Sequence, residues 1–176
     1  MKFVKMQGAG NDYVYVDCFK YKVNDPKKVA RIVSDRHFGV GADGLILVCP
    51  SDVADVRMDM YNADGSRGKM CGNGSRCVAK FAYDRRYVKK EEFELETLAG
   101  IKKISLKAEN NKAKSITVDM GSPKLYSKLP EHIVINGIQK EFIGVDMGNP
   151  HAVYFVKSLE ELNSLDLEKI GPFYEN

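Results

Sequence analysis

Short stretches in which apolar and polar residues alternate, rich in β-branched and aromatic side chains, recur along almost the whole chain and constrain its fold more than any other feature. They fall at Phe3–Gln7, Tyr13–Asp17, Leu45–Val48, Val56–Tyr61, Phe93–Thr97, Ile101–Lys107, Ser115–Asp119, Ile133–Ile135, Glu141–Val145 and Ala152–Val156. Alternation with period two is the signature of strands with one buried face. Helical signals are fewer: Pro26 at a first-turn position before Lys27–Asp35, the stretch from Asn73 to Arg86, and Ser158 followed by Glu161 ahead of a short Leu-rich segment. The pattern therefore reads as α+β. Most strands follow one another without a helix between them. A doubly wound parallel sheet, which needs crossover helices, fits less well than a curved antiparallel sheet around a helix.

Asn110-Asn111-Lys112 reads as a hairpin turn, and Gly121-Ser122-Pro123 breaks the chain soon after. The boundary is expected between 117 and 125, with one domain over residues 1–118 and a second over 119–176. An internal echo points the same way. Gly10-Asn11-Asp12-Tyr13-Val14-Tyr15-Val16 and Gly148-Asn149-Pro150-His151-Ala152-Val153-Tyr154-Phe155-Val156 each run from a Gly-Asn turn into an aromatic, β-branched strand. The first copy carries a Cys-Gly-Asn-Gly run about sixty residues after its Gly-Asn, and the same spacing from Asn149 passes Asn176. The expectation is that this sequence is a fragment, or one half of a split protein.

The charged residues, net +3, are spread through Lys and Glu pairs rather than gathered in one segment, so charge implies neither a nucleic-acid nor a membrane partner. Lys2, Lys5, Asn11, Asp12 and Asp17 interrupt every early apolar run, and no stretch approaches the ~18 apolar residues of a membrane helix. The expected location is cytoplasmic. The four cysteines, Cys18, Cys49, Cys71 and Cys77, form no C-x-x-C pair, which argues against a disulfide scaffold or zinc ribbon and for free thiols. A free thiol is usually a small buried packing residue.

Cys71 is the exception, because of what surrounds it. A strand ends near Tyr61 or Asn62, a Gly- and Ser-containing loop follows, and Cys71 stands where a helix begins, in Met70-Cys71-Gly72-Asn73-Gly74-Ser75-Arg76-Cys77. Gly72 and Gly74 leave backbone N–H groups uncovered beside it. Such groups, at the positive end of a helix, favour a bound carboxylate and a thiolate. The amides at turns, Asn11, Asn62, Asn73 and Asn149, can hold both the ammonium and the carboxylate of a zwitterion. Cys77 lies among Val78, Ala79, Phe81 and Ala82 and reads as packing, as do Cys18 and Cys49. His37, His132 and His151 show no metal-ligand spacing. The glycines at 39, 41 and 44 have the wrong spacing for a dinucleotide loop and read as a structural turn.

Five blocks together, Lys5–Tyr13, Asp35–Gly44, Asn62–Ser66, Met70–Cys77 and Met147–His151, resemble the diaminopimelate epimerase family, in order across nearly the whole chain. The resemblance implies two pseudo-symmetric β-roll domains, each around a central helix, with the second incomplete here and a site in the cleft between them. It implies interconversion of LL- and meso-diaminopimelate for lysine and peptidoglycan-precursor synthesis, without pyridoxal phosphate, metal or other cofactor. By position, Cys71 is a catalytic acid/base, Asn11, Asn62, Gly72, Asn73 and Asn149 contact substrate, and His151 lies beside the site. A homodimer and a complementing C-terminal half are the partners implied, besides the small-molecule substrate. Tyr13 stands where Phe is usual, and Gly44 where some members carry a substrate-touching Gln. The family draws its second catalytic cysteine, a Glu-Arg pair and the closing strand of its first domain from its last third. These are not matched here, so the isolated 176-residue chain is expected to be inactive. The alternatives are a non-catalytic amino-acid-binding half, or a related proline racemase or phenazine-synthesis isomerase. The Asn62–Ser66 and Gly148–His151 blocks favour diaminopimelate.

Overall fold

The computed structural model describes residues 2–126, 129–135, 137–148 and 150–175. The chain divides into two compact units, Met1–Met120 and Gly121–Asn176. The first contains β1 (Phe3–Gly8), β2 (Asn11–Asp17), α1 (Pro26–Ser34), β3 (Gly44–Cys49), β4 (Val56–Asn62), β5 (Arg67–Gly68), α2 (Gly72–Asp84), β6 (Glu92–Thr97), β7 (Gly100–Glu109) and β8 (Lys112–Val118). The strands form one sheet in the order β1-β2-β3-β4-β6-β7-β8, with β5 paired to β4.

The architecture is α+β, but the sheet is mixed, which corrects the expectation of an antiparallel one. β2 runs parallel to β3, and β4 parallel to β6, while the other neighbours are antiparallel. Parallel neighbours require a crossover. α1 supplies it between β2 and β3, and α2, after the short β5, supplies it between β4 and β6.

The two crossovers cover opposite faces. Tyr13, Tyr15, Ile46, Val48, Met58 and Met60 share a core with Val78, Phe81 and Ala82 of α2. The alternate residues Val14, Val16, Leu45, Leu47, Cys49 and Tyr61 pack with Ala30 of α1. β3 is buried at every position, which is why it reads as an unbroken apolar run. α2 touches β1 and β8, the outermost strands of the sheet, as well as β2, β3 and β4, so the sheet curls around it.

Local chemistry sets the ends of these elements. Asp25 caps α1 by accepting from the Lys28 N–H at 3.1 Å, with Pro26 in the first turn. α2 ends in a left-handed Arg86 (φ 66°), with the Arg86 N–H on the Tyr83 carbonyl and the Tyr87 N–H on that of Ala82, both at 3.0 Å. That is the double bond pattern that closes many helices, here without glycine. Asn110 and Asn111, at φ 50° and 61°, make the two-residue β7–β8 turn, whose handedness matches strand twist.

The second unit comprises β9 (Lys124–Leu125), β10 (Glu131–Ile135), β11 (Ile138–Asp146), β12 (Pro150–Val153), α3 (Leu159–Ser164) and α4 (Leu167–Glu175). Its strands are all antiparallel, ordered β10-β11-β12 with β9 also on β11. Ser158 caps α3 by accepting from the Glu161 N–H at 3.1 Å, and the Glu161 carboxylate takes the Lys157 N–H at 2.7 Å. α4, which includes Pro172, has no counterpart among the sequence signals. It packs against β10. No helix among the described residues is long and apolar enough to cross a membrane.

Phe81, at 2% exposure, lies in the centre of the α2 core. Phe81→Ala should lower the unfolding free energy by about 3–5 kcal/mol, read as an earlier midpoint in urea monitored by far-UV circular dichroism.

Candidate active site

Cys71 is the N-cap of α2, in extended conformation (φ −137°, ψ 113°). Its sulfur accepts the Gly74 N–H at 3.2 Å. Its carbonyl takes both the Ser75 N–H, at 2.8 Å, and the Ser75 hydroxyl, at 2.9 Å. Gly74 is small for a reason: a Cβ there would lie 2.8 Å from Ile46 Cδ1, so glycine lets the helix start sit directly on β3. The Gly72 and Asn73 N–H groups have no acceptor among the described residues. Donors at a helix start with no internal partner form an anion cradle.

A chain of polar contacts fastens that helix start to the sheet. Asn73 donates from Nδ2 to Asn11 Oδ1 at 2.9 Å, and Arg76 donates to Asn73 Oδ1 at 2.6 Å. Asn11 donates from Nδ2 to Asp43 Oδ2 at 3.0 Å, and Asp43 also accepts the Asp12 N–H at 3.1 Å. Arg36 bridges Asp12 and Asp43, at 2.9 Å to each, and Lys5 pairs with Asp12 at 2.9 Å. The Arg36 and Lys5 contacts hold the Asp12 carboxyl far below the usual carboxylate range. Asn11 and Asn73 therefore have fixed orientations, with part of their hydrogen-bonding capacity committed to each other.

Tyr13, Gly44 and Asn62 stand in one row across β2, β3 and β4. A Cβ on Gly44 would collide with the Tyr61 carbonyl oxygen and meet Tyr13 Cε1 at 2.9 Å, so glycine here lets β4 and the tyrosine ring come close. Tyr13 is buried in the α2 core, with Cys71 packed against that core. Burial, followed by the charge a Cys71 thiolate would carry, pushes the Tyr13 phenol well above its ordinary value. Asn62 is exposed at the end of β4 and donates to Ser66 Oγ at 2.9 Å.

The structure thus brings together Cys71, Gly72, Asn73 and Asn11, with Asn62 on the same face of the sheet one strand beyond Gly44. Asn149 lies outside the described residues. His151 belongs to β12 of the second unit, where it pairs in register with Val145 and lines a cleft with Tyr126, Phe142, Tyr154 and Ile170. Sequence reasoning missed Tyr13, Asp43 and Arg36. Asp43 and Arg36 did stand in a quoted block, but nothing local shows that a loop acid will orient an amide on another strand. Cys77 is buried, and burial pushes its thiol up. Among the described residues no cluster of three or more His, Cys, Asp or Glu is placed to hold a metal.

One outcome follows from the Asp12 contacts. A carboxylate with a depressed folded-state pKa stabilises the fold above its unfolded value of about 4 and loses that contribution as pH falls towards the folded value. Wild type should accordingly exceed Asp12→Asn in stability by a constant margin at pH 5–7, and the margin should shrink below about pH 4, as measured by urea melts across that range.

The family model for diaminopimelate epimerase matches residues 3–126. A diaminopimelate epimerase of Methanococcus maripaludis (strain C5) is 46% identical over 186 residues, covering 99% of this chain and 66% of the relative. That of Agathobacter rectalis is 48% identical over 194 residues, covering 100% and 67%. The chain therefore spans about two thirds of the length of these curated relatives. Among solved structures, a hydroxyproline epimerase from Agrobacterium vitis with bound trans-4-hydroxy-L-proline aligns with a TM-score of 0.70 at 17% identity, over 96% of this chain and 52% of that one. A PhzF-family phenazine biosynthesis protein from Bacillus anthracis aligns with a TM-score of 0.63 at 19% identity, over 91% and 58%. At those identities the structures speak to the fold, which is shared. The model match and the relatives together establish that this chain belongs to the diaminopimelate epimerase family.

Proposed function

We propose that this chain contributes to an amino-acid epimerase that interconverts LL- and meso-diaminopimelate without pyridoxal phosphate, with Cys71 moving the α-proton on one face of the substrate. The carrying observation is the position of the Cys71 sulfur: at the start of α2, bonded to the Gly74 N–H, beside the open N–H groups of Gly72 and Asn73.

The chemistry demands such a setting. Each pKa unit by which the α-proton exceeds a thiol costs about 1.4 kcal/mol, so a gap of ~10 units leaves ~14 kcal/mol to be found. General base catalysis, at roughly 10²–10⁴-fold, falls short. Donors aimed at the developing carboxylate charge contribute roughly 3–4 kcal/mol each in a site that excludes water. The Gly72 and Asn73 N–H groups are such donors for the α-carboxylate, and the held amides of Asn11 and Asn73 keep them in place. Asn62 and Asn149 complete the substrate contacts in this reading, with His151 beside them. A second cysteine on the opposite face, as the family resemblance implies, returns the proton without turning the substrate over. The reading places the protein in the cytoplasm, as a homodimer, in lysine and peptidoglycan-precursor synthesis.

The test is α-deuterium incorporation into LL-diaminopimelate in heavy water, followed by proton NMR with the protein in its full-length context. Exchange and epimerisation are expected with wild type, and Cys71→Ala should reduce both by at least roughly 10³-fold, within the range for loss of an acid/base group. Undiminished turnover in Cys71→Ala overturns the assignment.

A further inference from the structure

We propose that Cys18 and Cys49 form a redox-active dithiol that exchanges with small disulfides, a modification site separate from Cys71. The parallel register of β2 on β3 runs as far as Asp17 opposite Val48. The Cys18 N–H completes that last pair by donating to the Val48 carbonyl at 2.8 Å, and this holds Cys18 against the end of β3 beside Cys49. Both side chains belong to the α1 face, Cys49 buried and Cys18 half-buried. Cys71 packs against the opposite face. The two cysteines are also at the far end of β2 and β3 from Tyr13 and Gly44.

The two thiols lie in unequal surroundings, Cys49 buried and Cys18 half-buried. The Cys18 contact, and after it the Arg57 guanidinium, draw the Cys49 thiol below its ordinary value against the opposing effect of burial. The same contact and then burial push Cys18 up. Arg57 is the register partner of Cys49 on β4. Its buried Nε has no hydrogen-bond acceptor among the described residues, the nearest paired carboxylate, Asp59, being 3.8 Å away. A guanidinium beside a buried sulfur favours the anionic form of that sulfur over the form its burial alone would impose.

Neighbouring strands lie about 4.8 Å apart, inside the Cα separations that disulfides span. Parallel Cβ directions leave the β-carbons about as far apart, slightly beyond the roughly 3.5–4.5 Å of an ordinary disulfide, so forming the bond draws the turn at Cys18 towards β3. Exchange with a disulfide RSSR proceeds in two steps. Cys18, the more exposed thiol, gives its proton to solvent and attacks RSSR, forming a Cys18–SR bond and releasing RS⁻. That RS⁻ takes the proton from Cys49 and leaves as RSH. The Cys49 thiolate then attacks the Cys18 sulfur, forming the Cys18–Cys49 bond and expelling the second RS⁻. Two electrons pass from the cysteines to RSSR.

Oxidised glutathione is the probe. Full-length chain, incubated with it, alkylated and digested, should yield a Cys18–Cys49 crosslinked peptide by mass spectrometry, two hydrogens lighter than the sum of its parts and reversed by dithiothreitol. Cys49→Ser should stop the reaction at a glutathione adduct on Cys18. Recovery of Cys18 and Cys49 as separately alkylated peptides from wild type, under conditions that modify Cys71, overturns the proposal. So does a crosslink joining other cysteines instead. Neither result bears on epimerisation, because the readout involves no turnover.

Discussion

Burial of α2 within the curl of a mixed sheet is the constraint on which the first unit depends. The helix can be enclosed only if its inward residues are small or flat enough for strands to approach from several sides, and Cys77, Val78, Ala79 and Ala82 meet that demand around Phe81. Enclosure leaves the first turn as the part of the helix that opens outward, since Gly72 and Asn73 are only half-buried while most of the following two turns is covered. The polar end of a buried helix is thus presented at the rim of the sheet. There its unpaired donors have either water or a ligand as their partner.

The same rim shows how the Cys71 thiol is held. Cys71 is fixed as a cap: its carbonyl is tied down twice by Ser75, and its sulfur receives the Gly74 N–H. The amide pair Asn11–Asn73 then locks the helix start to β2, and the ionic group of Lys5, Asp12, Arg36 and Asp43 locks Asn11 in turn. Each component is weak alone, exposed ion pairs contributing little. Linked, they define a single orientation for both amides, which is what a site needs if its donors are to meet developing charge without reorganising.

The three thiols other than Cys71 show how far environment, rather than residue type, sets cysteine behaviour. Cys77, on the inward face of α2, is driven towards its neutral form by burial. Cys18 and Cys49 are brought side by side by the parallel pairing of β2 with β3, and each other's proximity, then burial and Arg57, move their thiols in opposite directions. A wholly antiparallel sheet would not have made neighbours of them, so the pair depends on α1 as a crossover.

Period-two alternation determined where the strands lie, and β1, β2, β4 and β6 begin and end close to where their apolar and polar residues alternate. The Pro26 helix start, the Ser158–Glu161 cap and the Asn110-Asn111 turn were likewise legible, because helix starts and tight turns are satisfied by residues a few positions apart. Cys71 at a glycine-flanked helix start was legible for the same reason. What only the tertiary structure decided were relations between distant segments: the parallel joins of β2 with β3 and β4 with β6, the packing of α4 on β10, the packing of Cys71 against the core that holds Tyr13, and the clamp from Arg36 through Asp43 and Asn11 to Asn73. Those contacts link positions from 7 to 62 residues apart, and their energies arise from burial and from charges meeting across strands. No local pattern encodes them, since the same loop acid or tyrosine in another register would face solvent.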